Sequence, residues 1–221
     1  MFLFKGKIKK REKGWSARPQ AGMTYIELIV VLSIFSIMTS VVLFDYDRFQ
    51  AKVDIKNLAN DIALQIVEAQ KMASSGRLSI QTPIPPVPPW RPSYGVYFDL
   101  SAFGNNKNFV YFADLDQSGN YNEGDGSFCG STLGTNECID KLGITKNYFI
   151  SDLQVFYQGG SFTSLIDSNL SITFTRPNSE AIIKSTTILS PSISYAQIDI
   201  TSPSGNPAKI KIYASGRIQI D

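Results

Sequence analysis

The sequence predicts an α+β protein: a long N-terminal helix, apolar in its first half and amphipathic in its second, packed on an antiparallel β-sheet head. Three observations lead to it. Residues 23–44 form an apolar run whose only charge is Glu27. Beyond it Ile55, Leu58, Ile62, Ile66, Ala69 and Ala73 recur at steps of three and four, the period of a helix with one buried stripe. In the second half of the chain, short segments alternate apolar and polar residues between turn-forming clusters, the period of strands with one covered face.

Taken in order, the elements follow from local chemistry. Residues 1–22 are a basic leader with Lys5, Lys7, Lys9, Lys10, Arg11, Lys13 and Arg18 against Glu12 alone. At about 1.5 Å per residue the apolar run reaches about 33 Å, enough to cross a hydrocarbon core of about 30 Å. Cations just ahead of such a span keep the N-terminus in the cytoplasm and put the rest of the chain outside. The amphipathic pattern continues the same helix over residues 45–76, with Lys52, Lys56, Asn57, Asp61, Glu68 and Lys71 off the stripe and Gly76 as its C-cap. Residues 77–93 are a linker, because TPIPPVPPWRP carries prolines that fix φ and lack an N–H.

Residues 94–221 then form one β-rich head. Its strand signals are Val96 to Leu100, Phe109 to Phe112, Phe149 to Phe156, Leu170 to Phe174, Ala181 to Ile188 and Ala196 to Ile200. A terminal hairpin pairs Ile210 and Ile212 with Ile218 and Ile220. Turns fall at Arg176-Pro177-Asn178-Ser179, at residues 203–207 and at Ala214-Ser215-Gly216. The pattern predicts one antiparallel sheet packed on one face.

A carboxylate costs about 2.5–3.5 kcal/mol at the centre of a membrane span on insertion scales and somewhat less near its start, so Glu27 needs a partner. Gly22 followed by Met-Thr-Tyr-Ile-Glu and an unbroken apolar helix resembles the cleavage and methylation signal of the type IV pilin and pseudopilin family. The resemblance implies cleavage by prepilin peptidase after Gly22, N-methylation of Met23, and pairing of Glu27 with a neighbouring subunit's N-terminal amine during filament assembly. It further implies a single-pass subunit of the cytoplasmic membrane whose head faces outward, with other pilin or pseudopilin subunits, the assembly machinery and membrane lipid as partners. The succession of a strand, the Phe174-Thr175-Arg176-Pro177 turn, a second strand and a hairpin closing on Ser215-Gly216-Arg217-Ile218 is similar to the heads of minor pseudopilins of the H type in type II secretion, and of related minor pilins. The alternatives within and beyond the family are a minor pilin that binds DNA for uptake, and an ectodomain of another function on a plain signal anchor.

The whole chain has 21 basic and 19 acidic residues; without the leader's seven cations and one acid, 14 basic face 18 acidic ones. An acidic mature chain is a poor polyanion binder. It has no His, no phosphate loop and no nucleophile elbow, which argues against an enzyme and requires no cofactor. Its two cysteines, Cys129 and Cys138, flank a Gly/Ser/Thr/Asn loop and are either a disulfide stapling that loop or two free thiols.

Two clusters carry candidate chemistry. The stretch from residue 114 to 125 follows a calcium-loop pattern: Asp114, Asp116 and Asp125 supply carboxylates, Ser118 a hydroxyl, Asn120 a carbonyl and Asn122 a ligand directly or through water, with Gly119 at the turn. Short polar residues of this kind also form plain turns, so a structural Ca²⁺ and a metal-free loop both fit. On the terminal hairpin Lys209, Lys211 and Arg217 alternate with isoleucines and share an outer face. That face is either a contact for nucleic acid phosphate or simply solvated.

Overall fold

The computed structural model of the chain describes residues 22–79, 92–102, 104–124, 129–130, 136–187, 189 and 192–221. The basic leader through residue 21, most of the proline-rich linker, Asp125 and Ile188 lie outside the described residues. The chain divides into two compact units, residues 1–46 and 47–221.

One unbroken helix, α1, runs Tyr25–Ser75 over 51 residues. Thr24 caps its start: the Thr24 hydroxyl oxygen accepts the Glu27 N–H at 3.4 Å and its carbonyl accepts the Leu28 N–H at 3.2 Å. In the first unit every described side chain is exposed, and the helix is long and apolar enough to cross a membrane. Its last turn closes as the sequence predicts. Gly76 sits at φ +64, its N–H bonds the Ala73 carbonyl and the Arg77 N–H bonds the Met72 carbonyl. That pair of bonds is the Schellman arrangement, which needs a residue tolerant of left-handed backbone at Gly76.

The second unit folds the remaining helix onto two five-stranded antiparallel sheets, where the sequence predicts one. The strands are β1 (Ser93–Asp99), β2 (Asn108–Asp114), β3 (Cys138–Gly143), β4 (Phe149–Tyr157), β5 (Phe162–Ser164), β6 (Asn169–Phe174), β7 (Ala181–Lys184), β8 (Ile193–Thr201), β9 (Pro207–Tyr213) and β10 (Ile218–Ile220). Sheet one has the order β3-β2-β1-β6-β7 and sheet two the order β10-β9-β8-β4-β5. The split arises because β1 pairs with both β2 and β6, closing its two edges, while β4 pairs with β8. Alternation along a strand marks its covered face and not its neighbours. The predicted terminal hairpin is present in register, with Ile212 opposite Ile218 and Ile210 opposite Ile220.

The buried stripe of α1 consists of Ile55, Ala59, Ile62, Ala63, Ile66, Ala69 and Ala73, and it shares one core with the inner faces of both sheets. Leu58, predicted within the stripe, is half-buried at its margin. Alternating isoleucine and alanine lets the helix backbone approach the sheets at the alanines while the isoleucines fill the space between. The polar flank of the helix ties the ends of both sheets. Gln70 Nε2 donates to the Ser179 carbonyl at 3.0 Å and to the Gly216 carbonyl at 3.1 Å, reaching the β6–β7 and β9–β10 turns together. Beside them the Ala181 N–H of β7 bonds the Ala214 carbonyl beyond β9 at 2.9 Å, a direct link between the sheets. Tyr94 OH, from β1, donates to the Arg77 carbonyl just past the helix at 2.8 Å.

Gly216 is the tightest point of this junction. It has φ +84, and a Cβ there would lie 2.0 Å from the Ser179 carbonyl oxygen and 2.6 Å from Gln70 Nε2. Gly216→Ala therefore combines left-handed strain with a clash against backbone, and a loss of about 2–4 kcal/mol in urea unfolding of the head is expected. Ile66→Ala, at a side chain with no exposed surface, is expected to cost about 2–5 kcal/mol in the same measurement. A variant at either position that unfolds at the wild-type midpoint would show that this junction does not carry the fold.

Candidate metal centre

The outer face of sheet one is covered by the connection between β2 and β3. Val110, Phe112 and Cys138 form a small second core there, with Tyr97 and Tyr121 against it. Tyr121 lies 4.9 Å from the Tyr97 ring and 5.4 Å from the Phe112 ring, which anchors the loop to the sheet. Asp114 ends β2 with its side chain on this covered side, so it is only 2 % exposed.

Asp114, Asp116 and Glu137 each place a carboxylate oxygen within 4.8 Å of the other two. Glu137, 1 % exposed, immediately precedes β3. Backbone donors converge on all three acids. The Gly119 N–H donates to Asp114 Oδ2 at 2.9 Å and the Ser118 N–H to Asp116 Oδ1 at 2.8 Å. Glu137 Oε1 accepts the N–H groups of Leu115 at 2.8 Å and Asp116 at 3.4 Å, and its Oε2 accepts that of Asn122 at 2.8 Å. Asp114 Oδ1 is buried and has no hydrogen-bond partner. A buried carboxylate oxygen left unpaired is costly, and a cation bound beside it removes that cost.

The electrostatics agree with a site short of positive charge. Burial pushes the Asp114 carboxyl up to about 6, with neighbouring Asp116 adding to the rise and the Gly119 N–H opposing it. Burial likewise pushes Glu137 up to about 7 against the N–H groups of Asn122 and Leu115, with the charges of Asp116 and Asp114 adding to it. At the more exposed Asp116 burial also acts upward, but bonds from Ser118 and Asp114 hold the carboxyl below its ordinary range.

Of the ligands predicted from sequence, Asp114 and Asp116 come together, and Asp125 lies outside the described residues. The smaller polar side chains serve the loop itself. The Ser118 hydroxyl donates to the Asn120 carbonyl at 3.1 Å, and Asn122 Oδ1 accepts the Gly124 N–H at 2.9 Å. Lys184, on β7, donates to the Ser118 carbonyl. The third acid of the cluster, Glu137, is absent from the sequence prediction because it follows the loop by too many residues for any calcium-loop spacing. The donors fit a hard divalent cation such as calcium: all are oxygens, the chain has no His, and both cysteines are committed to each other. Cys129 and Cys138 form a disulfide with Cα atoms 4.7 Å apart.

The remaining candidates separate from this centre. Glu27 occupies the third helical position after the Thr24 cap, two residues beyond Tyr25 at the helix start, and Gly22 and Met23 precede the helix as exposed residues. On the outer face of sheet two, Lys209 lies 3.8 Å from Asp199, Lys211 pairs with Asp221, and the Arg217 guanidinium sits 3.9 Å from the centroid of the Tyr213 ring. That ring continues a stack through Tyr195 and Phe156 to Phe162, one aromatic per strand. A phosphate approaching these cations competes with two aspartates. Comparison with known proteins finds no matching family model, no matching curated protein and no matching solved structure.

Two outcomes test the acid cluster. Millimolar calcium is expected to raise the thermal midpoint of the head at pH 7.5 relative to chelator, and Asp114→Asn to abolish the rise. In chelator, Asp114 and Glu137 have folded-state pKa values above those of the unfolded chain, so the fold holds protons that the unfolded chain has released. Their contribution to stability is therefore greatest near pH 4 and falls as pH rises to about 7. Melts at pH 5 and pH 7.5 should show calcium acting mainly at the higher pH. An equal calcium effect at both would mean that the ion binds elsewhere.

Proposed function

We propose that the chain is a membrane-inserted filament subunit of the type IV pilin or pseudopilin kind, non-enzymatic, with its head outside the cytoplasmic membrane. The observation that carries the reading is the union of two roles in α1. The helix begins next to the Gly22-Met23 junction, holds Glu27 as its one charge until Asp45, and supplies the buried stripe of the head some 30 residues later. A plain anchor has no need of an acid in its first turn or of a helix that continues from the span into the core of the domain it tethers. A subunit that assembles by packing helical spines has a use for both. The Thr24 cap fixes Glu27 in the first turn, close to the N-terminus that cleavage after Gly22 would create. The corresponding amine of a neighbouring subunit is the counter-charge that would make the acid tolerable within a bilayer.

A specific observation supports a second feature, a calcium ion in the head. Asp114, Asp116 and Glu137 lie together, the buried Asp114 Oδ1 has no hydrogen-bond partner, and a divalent cation bound among them would relieve their repulsion. Its part is structural, ordering the loop that covers sheet one.

Co-expression with prepilin peptidase tests the main reading. The chain should lose residues 1–22 and begin at Met23 by N-terminal sequencing, and Gly22→Val should retain the leader. Glu27→Ala should be cleaved normally yet fail to enter filaments. An intact leader in the presence of the peptidase, or normal filaments from Glu27→Ala, would overturn the corresponding half of the proposal.

A further inference from the structure

We infer that the Cys129–Cys138 disulfide locks the metal site, holding Glu137 in place as its third carboxylate so that calcium affinity follows the redox state of the two cysteines. The inference rests on the calcium reading above. Glu137 stands 21 positions after Asp116, far outside the compact loop that brings Asp114 and Asp116 together. A ligand so distant in sequence contributes only if the fold returns it to the site before the ion arrives; otherwise the ion's binding energy is spent on ordering the chain.

Two devices return it. The first is backbone pairing around β3: the Ala113 N–H bonds the Glu137 carbonyl at 3.0 Å, and the Glu137 N–H bonds the Asn122 carbonyl at 3.2 Å. The second is the adjacent disulfide. Cys138 is fully buried in the small core beneath the loop, is bonded to Cys129 across nine positions, and its carbonyl accepts the Gly130 N–H at 2.8 Å. Glu137 is therefore one peptide unit from a covalent crosslink that joins the two ends of the loop's second half. Its carboxylate meanwhile receives N–H groups from Leu115, Asp116 and Asn122 on the first half. The crosslink removes from the metal-free ensemble those conformations in which Cys129 parts from Cys138.

Cys129 is exposed at the surface end of the bond. A dithiol reductant supplies two electrons and two protons, the S–S bond becomes two S–H groups, and the reductant leaves as its own disulfide. The fold of sheet one does not pass through this bond, since β2 and β3 are already paired by their backbones. What the reduction removes is the second device, the crosslink that holds the chain at Cys129 against β3 beside Glu137.

The test is calorimetric titration of the full chain in detergent micelles with calcium chloride, in three forms. The disulfide-intact chain should bind one ion. The Cys129→Ser/Cys138→Ser chain and the disulfide-intact Glu137→Gln chain should each bind at least about tenfold more weakly, the scale on which supporting residues act at metal sites. Thermal melts in chelator establish that each form is folded at the titration temperature. Should the double serine chain be unfolded, wild-type protein reduced with dithiol and titrated below its own midpoint replaces it. Equal affinity with and without the disulfide overturns the inference and leaves the calcium reading standing, whereas undiminished affinity in Glu137→Gln overturns the inference and removes Glu137 from the site. No binding to the disulfide-intact chain overturns both.

Discussion

The head depends on the stripe of alternating isoleucine and alanine on the second half of α1. Ile55, Ile62 and Ile66 are almost completely buried, and each supplies about 1.5–3 kcal/mol of apolar burial against sheets that otherwise have only each other. The alanines between them contribute little area but set the distance of approach. Because one stripe serves both sheets, the polar residues beside it become junction residues as well. Gln70 binds the turns of two different sheets with one amide, and Gly216 leaves the room for it.

The same helix is under a second constraint from its N-terminal half, where 22 residues hold a single charge. A core helix of a soluble protein is apolar on one side, whereas this segment is apolar all round and exposed all round. The apolar span and the core stripe lie on one unbroken element.

The loop between β2 and β3 solves a different problem. Sheet one would expose Val110 and Phe112 on its outer face, and the loop covers them with Tyr121 and the disulfide. The cover brings acids with it, and Asp114 is buried as a consequence. Two of the three neighbouring carboxylates, Asp114 and Glu137, are buried, backbone N–H groups bond all three acids, and the buried Asp114 Oδ1, which has no hydrogen-bond partner, is where a cation would do the most. Sheet two manages its outer face otherwise, with a stack of rings from Phe162 to Tyr213 whose faces are covered by their neighbours.

By itself the sequence determined the features that depend on neighbours along the chain. The continuous helix and its Gly76 stop, the alternation within β1, β2, β4, β6, β8 and the terminal hairpin, and the pairing of Asp114 with Asp116 are all set by local period or local turn chemistry. Tertiary structure decided the rest. β3 escaped notice because its exposed Asp140 and Lys141 break any alternation on an edge, and β5 because three residues are too few to show a period. The division into two sheets turned on which strands pair, which alternation does not encode. Glu137 joined the acid cluster through a strand pairing and a crosslink far along the chain, and Asp114 became a buried acid with one unpartnered oxygen only because another segment folded over it. Burial is a property of what arrives from elsewhere, and that is why the site's most informative atom could be seen only in three dimensions.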